Sequence, residues 1–166
     1  MSNDGRQRKL LYTALSGAAA VAVSAAAVSL LLSVYSVTGD SMEPSLHDGE
    51  LVICVKCLRP KKNSIMLLRY DGRVLIKRVI GLAGDEVCIG SRGSVYVNGK
   101  LLDGHFIKTD CRPLRCIVPK GRLFLLGDNL AVSFDSRSPF IGCVSDKAVI
   151  GRALACVSGE EVRRLS

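Results

Sequence analysis

Aromatic residues make up only 5% of this 166-residue chain, histidine occurs twice, and no charge interrupts the stretch from Leu10 to Val37. Each scarcity excludes something. With few aromatics and no recognition-helix or base-stacking pattern, the excess of 23 Lys and Arg over 15 Asp and Glu (formal net charge +8) does not mark a nucleic-acid binder. The basic residues are dispersed through strand-like segments. Attraction to anionic lipid headgroups accounts for them, as does a plain solvated surface. His47 and His105 stand alone, and the C-x-x-C of Cys54 and Cys57 has no second copy, so structural roles for the cysteines are favoured over a zinc site. No internal repeat, low-complexity linker or long amphipathic helix is visible. That leaves one domain plus an accessory element.

Seven cysteines are an odd inventory for a disulfide framework, since one must stay unpaired. Cys54 and Cys57 flank a strand-like run, where a separation of three puts side chains on opposite faces and disfavours a shared ligand. Cys111 and Cys116 lie in a Pro-containing loop and are expected to be able to cross-link in an oxidising compartment. Cys88, Cys143 and Cys156 read as small core residues.

The uncharged run is long enough to cross a bilayer, since about 20 apolar residues span a hydrocarbon core of roughly 30 Å. A cleavable signal peptide competes, with Ala25-Ala26-Ala27 as a small-residue cleavage site. Its apolar region is typically only about 7–15 residues, however, and here the run continues well beyond the alanines. The expectation is therefore a basic flank at 1–9, a transmembrane anchor at 10–37 and an exported domain at 38–166. Arg6, Arg8 and Lys9 keep the amino terminus cytoplasmic, which places the domain on the outer face of a plasma membrane or, alternatively, in a mitochondrial intermembrane space.

Beyond the run the pattern is β. Short apolar segments at 51–55, 65–70, 74–82, 95–97, 101–102, 116–118, 123–126 and 148–150 are punctuated by glycines, and Asp71-Gly72 and Asn98-Gly99 predict two tight hairpins. Many short strands at this spacing predict a mainly β fold, a coiled sheet or barrel.

The residues with chemical promise are a serine and a lysine. Ser41 stands in Thr38-Gly39-Asp40-Ser41-Met42-Glu43-Pro44-Ser45-Leu46, outside any G-x-S-x-G elbow and without a lysine three residues on. A serine hydroxyl needs a base, and His47 is too near in sequence for an obvious triad. Lys77 lies mid-strand in Val74-Leu75-Ile76-Lys77-Arg78-Val79-Ile80, sharing a face with Leu75 and Val79. Burial there lowers an amine by as much as about 3–5 pKa units and frees it to act as a base. Taken alone, a strand lysine more often snorkels to water.

Three segments resemble the boxes of the type I signal peptidases, a Ser-Lys protease family. Ser41 to Leu46 is similar to S-M-x-P-[TS]-L, and Lys77-Arg78-Val79-Ile80-Gly81-Leu82-Ala83-Gly84-Asp85 to K-R-V-x-G-x-P-G-D. Gly127-Asp128-Asn129 with Ser133-Phe134-Asp135-Ser136-Arg137 is similar to G-D-N-x-x-x-S-x-D-S-R. The resemblance implies a membrane-anchored serine endopeptidase that removes signal peptides from exported preproteins by acyl transfer. Its catalytic fold would be β, with a hairpin insert around 86–118, and it would need no cofactor.

The same resemblance implies Ser41 as nucleophile, Lys77 as general base, and Ser133 as a hydroxyl that hydrogen-bonds and orients the lysine. Asp135 and Arg137 would form a supporting ion pair, and Met42 would shape the nucleophile loop. Gly39 stands where some relatives carry a serine that donates to the oxyanion, leaving the backbone N–H of Ser41 as donor. Ala83 replaces the usual proline. The implied partners are preprotein signal peptides and the lipid bilayer; the oligomeric state is not indicated. Two other readings remain open: a mitochondrial inner-membrane peptidase subunit, and a catalytically silent, membrane-tethered module that binds through its cysteines.

Overall fold

In the computed structural model, which describes residues 16–17, 29–102 and 106–165, Asp71 and Gly72 take positive φ angles of 47° and 73°. This is the backbone of a tight hairpin turn. It joins β3 (Ile65–Tyr70) to β4 (Arg73–Gly81), whose register runs from Tyr70 opposite Arg73 to Ile65 opposite Arg78. Asn98 and Gly99, at 51° and 76°, likewise connect β6 (Val95–Val97) to β7 (Lys100–Leu101). Both hairpins follow the expectation from sequence.

The remaining strands are β1 (Leu32–Ser36), β2 (Leu51–Val55), β5 (Glu86–Ile89), β8 (Leu114–Ile117), β9 (Arg122–Leu126), β10 (Val144–Ser145), β11 (Val149–Ser158) and β12 (Glu161–Arg164). They build two sheets. The larger has the order β1-β2-β11-β3-β4-β9-β10, with β12 also paired to β11; the smaller has the order β7-β6-β5-β8 and is drawn from residues 86–117. β11 spans the centre of the large sheet, antiparallel to both β2 and β3. The mainly β expectation holds.

Alternation along β4 distributes its side chains among three apolar clusters. Leu75 and Val79 pack with Met66, Leu68 and Leu125. Ile76 packs with Val37, Met42 and Leu46, and Ile80 with Val87, Phe124 and Leu126. A strand with buried neighbours around its second half is a stiff support for whatever it carries.

The chain divides into two units, Met1–Ser33 and Val34–Ser166. Of the anchor expected at 10–37, residues 10–15 and 18–28 lie outside the described residues. Its carboxyl-terminal end is corrected: Leu32–Ser36 is a strand with alternating exposed and half-buried positions, next to β2 in the sheet. Absence of charge defined the run, and absence of charge does not distinguish helix from strand; the period-two pattern of Leu32-Ser33-Val34-Tyr35-Ser36 does. Among the described residues no helix is long and apolar enough to cross a membrane.

Candidate active site

Three stretches far apart in sequence meet at Ser41. The first is the turn-rich loop from Thr38 to Glu50. Gly39, at φ 80°, donates its N–H to the Asp48 carboxylate at 2.7 Å, and Leu46 donates to the carbonyl of Met42 at 2.9 Å. Met42 is 1% exposed and roots the loop in the core beside Leu46, the place the sequence gives it.

The second stretch is β4. Lys77 is 5% exposed, and its Nζ stands 2.8 Å from Ser41 Oγ. Burial pushes this amine down from 10.5 to about 8, while the carboxylates of Asp135 and Asp128 pull it partly back and Arg137 opposes them. Ser41 and Lys77, paired by motif alone, are thus within hydrogen-bond contact.

The third stretch is the loop following β9. Asn129 donates its backbone N–H to the carbonyl of Ser41 at 3.1 Å. Asp135, 2% exposed, accepts from the Gly127 N–H at 3.1 Å and forms a two-pronged pair with Arg137, at 2.8 and 3.0 Å. Arg137 also donates to the carbonyls of Leu130 and Ser133, at 2.8 and 3.1 Å. The expected ion pair is therefore present, and it ties this loop around Ser133.

Ser133 itself differs from expectation. Its Oγ is buried with no hydrogen-bond partner among the described residues, so the bond to Lys77 is not made here. The lysine amine is turned to Ser41 instead. Gly127 explains how tightly this corner is packed: a Cβ at that position would run into both the Ser133 hydroxyl and the Ser41 carbonyl.

Arg78 and Asp128 form a contact that the sequence motifs do not define. Arg78 is 1% exposed and grips Asp128 with two hydrogen bonds of 2.7 and 2.6 Å, while also donating to the Asn63 carbonyl and, at 3.0 Å, to Ser45 Oγ. The signal was present. An arginine between Ile76 and Ile80 in an apolar strand requires a buried partner. A second arginine, Arg163 on β12, holds the outside of the loop, donating to the Ser45 carbonyl at 2.6 Å and to both oxygens of Glu50 at 3.1 Å.

A cavity of about 120 Å³ opens beside the pair, lined by Tyr35, Val37, Met42, Leu75 and Ile76 together with Ser41 and Lys77. Ser36 and Thr38 also line it, so its wall is mixed polar and apolar, and it has room for a small side chain. Alongside it, Arg73–Lys77 of β4 pair with β3, whereas the ladder to β9 begins only at Arg78. Other candidates lie elsewhere. His47 is exposed and rests on Glu43 at 3.3 Å, and His105 lies outside the described residues. Among the described residues no group of three or more His, Cys, Asp or Glu is arranged to hold a metal.

A protein-family model described as "Signal peptidase, peptidase S26" matches residues 10–158. The chain is 33% identical over 139 residues to a signal peptidase I of Bacillus amyloliquefaciens, covering 73% of each protein. It is 28% identical over 171 residues to signal peptidase IB of Staphylococcus aureus, covering 88% of each. The crystal structure of a signal peptidase I from Enterococcus faecalis V583 superposes with a TM-score of 0.50 at 26% identity, over 57% of this chain and 97% of that one.

Proposed function

The chain belongs to the signal peptidase family, peptidase S26, and from that premise we propose that it is a serine endopeptidase that removes signal peptides from preproteins, with Ser41 and Lys77 as its catalytic pair. The observation that carries the reading is the 2.8 Å contact between a buried amine and a hydroxyl, with the amine lowered to about 8. At that value a useful fraction of Lys77 is neutral near physiological pH, and a neutral amine at this distance takes the hydroxyl proton as Oγ attacks a carbonyl carbon. The resulting ammonium then protonates the leaving amine. Water, activated by the same amine, releases the acyl group from Ser41.

The cavity and the unpaired edge supply the binding half of this reading. A peptide laid along Arg73–Lys77 in extended form adds main-chain hydrogen bonds to β4 and delivers a small side chain into the 120 Å³ cavity beside Ser41. Ser133 has the remaining task. A protonated Lys77 needs acceptors, and the buried, unsatisfied Ser133 hydroxyl is a suitable one once the amine turns from Ser41.

Membrane tethering through residues upstream of β1 is part of the proposal, motivated by the uncharged run from Leu10. It raises the effective concentration of substrates held in the same bilayer. The test is cleavage of a purified preprotein in detergent: Ser41→Ala and Lys77→Ala should each abolish product while the circular dichroism spectrum stays that of the parent. Undiminished cleavage by either variant overturns the assignment.

A further inference from the structure

Cys116 and Cys143 have no part in the chemistry above, yet their sulfurs lie 3.6 Å apart. They come from separate elements. Cys116 sits on β8, the edge strand of the small sheet, opposite Val87; Cys143 immediately precedes β10, which pairs with β9 in the large sheet. Both are half-buried against the apolar cluster of Ile80, Val87 and Phe124, where the two sheets share a core. The Cys143 carbonyl is pinned by Arg122 at 2.7 Å, so the backbone on that side is already fixed.

Cys111, which the sequence allows to cross-link with Cys116 in an oxidising compartment, donates its S–H to the Gly90 carbonyl at 3.3 Å, while Cys116 lies on β8. The other thiols are placed differently again: Cys54 and Cys156 are buried in the cluster around Val52, Cys57 is exposed and Cys88 lies on β5.

We propose that Cys116 and Cys143 are a disulfide site, closed when the domain meets a disulfide oxidant such as glutathione disulfide or an oxidised dithiol protein. Moving from contact at 3.6 Å to a bond of about 2.05 Å takes a change of side-chain torsion rather than a rearrangement of strands. Burial, followed by the neighbouring Cys116 sulfur, pushes the Cys143 thiol up, and the reaction begins from whichever thiol of the pair ionises first. That thiolate displaces one sulfur of the oxidant, forming a mixed disulfide and releasing the other sulfur as a thiolate. The remaining protein thiol gives its proton to the released thiolate and displaces the second sulfur. Overall two protein thiols lose two electrons and two protons, one S–S bond forms, and the oxidant's disulfide becomes two thiols. The bridge would fasten the small sheet to the large one and enclose β9 and the loop bearing Ser133, Asp135 and Arg137 in a covalent ring.

The experiment uses the intact chain in detergent, incubated natively with glutathione disulfide, quenched in acid, alkylated under denaturing conditions and mapped by mass spectrometry. The expected result is loss of two of the seven alkylatable thiols and a cross-linked peptide joining Cys116 to Cys143. Cys116→Ser and Cys143→Ser should each lose no thiol pair under the same treatment. A full set of seven alkylated thiols in the parent, or a cross-link joining any other two cysteines, overturns the proposal. Because the readout is covalent mapping, its failure is distinct from failure of the Ser41 and Lys77 assignment.

Discussion

Lys77 and Arg78 are neighbours on β4 and hold opposite ends of one loop: the amine reaches Ser41 Oγ at 2.8 Å and the guanidinium reaches Ser45 Oγ at 3.0 Å. A single dipeptide thus supplies the proposed base and also fixes the backbone that presents the nucleophile. The first is a matter of proton affinity and the second of buried charge, so they make separable predictions.

The pH dependence of turnover should follow Lys77. With the amine at about 8, kcat/KM for a preprotein should climb about tenfold per pH unit below that value and level off above it. Lys77→Arg should be inactive throughout, because a guanidinium offers no free base in this range. A flat profile from pH 6 to 9, or activity in the arginine variant, would assign the proton transfer to another group.

Replacing Lys77 by an apolar residue should raise stability while removing activity. Lys77 falls from 10.5 to about 8 on folding, so below pH 8 both states carry the proton and burying the charge costs on the order of 3 kcal/mol. Between pH 8 and 10.5 the native amine is neutral while the unfolded chain is still charged, so stability rises with pH; above 10.5 the difference is gone. Lys77→Met should therefore be more stable than the parent at pH 7 in urea titrations, with the advantage shrinking towards pH 10. Equal stability of the two proteins across that range would show that the amine is not desolvated.

Gly127 has no room for a side chain, since a methyl group would meet both the Ser41 carbonyl and the Ser133 hydroxyl. Gly127→Ala should displace the nucleophile and reduce kcat by about 100-fold, the scale expected when reacting groups shift by roughly an ångström. Single-turnover kinetics on a preprotein measures this directly. Parental rates would mean that the corner relaxes freely.

Asp128 is fully buried against Arg78. Asp128→Ala removes the carboxylate that grips the buried guanidinium and should destabilise the fold by about 3–5 kcal/mol in denaturant titrations. Replacing both partners, as Arg78→Met with Asp128→Leu, should cost markedly less than the two single changes added together. Strict additivity would mean the pair is not energetically coupled.

Local features of this fold were legible because local chemistry dictates them. Asp71-Gly72 and Asn98-Gly99 announce their hairpins through residues that tolerate positive φ, and the positions of Ser41, Lys77 and the Asp135–Arg137 pair follow from three recognisable segments. What spacing could not give was contact between distant elements. The Cys116–Cys143 approach depends on how the small sheet packs on the large one, and Arg163 reaches Ser45 across 118 positions of chain. The Leu32–Ser36 strand is hidden within the apolar run, because absence of charge does not reveal its period of two.

The stretch of β4 that β9 leaves uncovered has a consequence for timing. Only a chain still without structure of its own can lie flat against Arg73–Lys77 and lower a side chain into so narrow a recess. A passenger that folds early, right up to the scissile bond, would shield that bond behind its own surface. Under the proposed binding mode, processing is set in a race with the client's folding, and the length of slack polypeptide after the cut decides which finishes first.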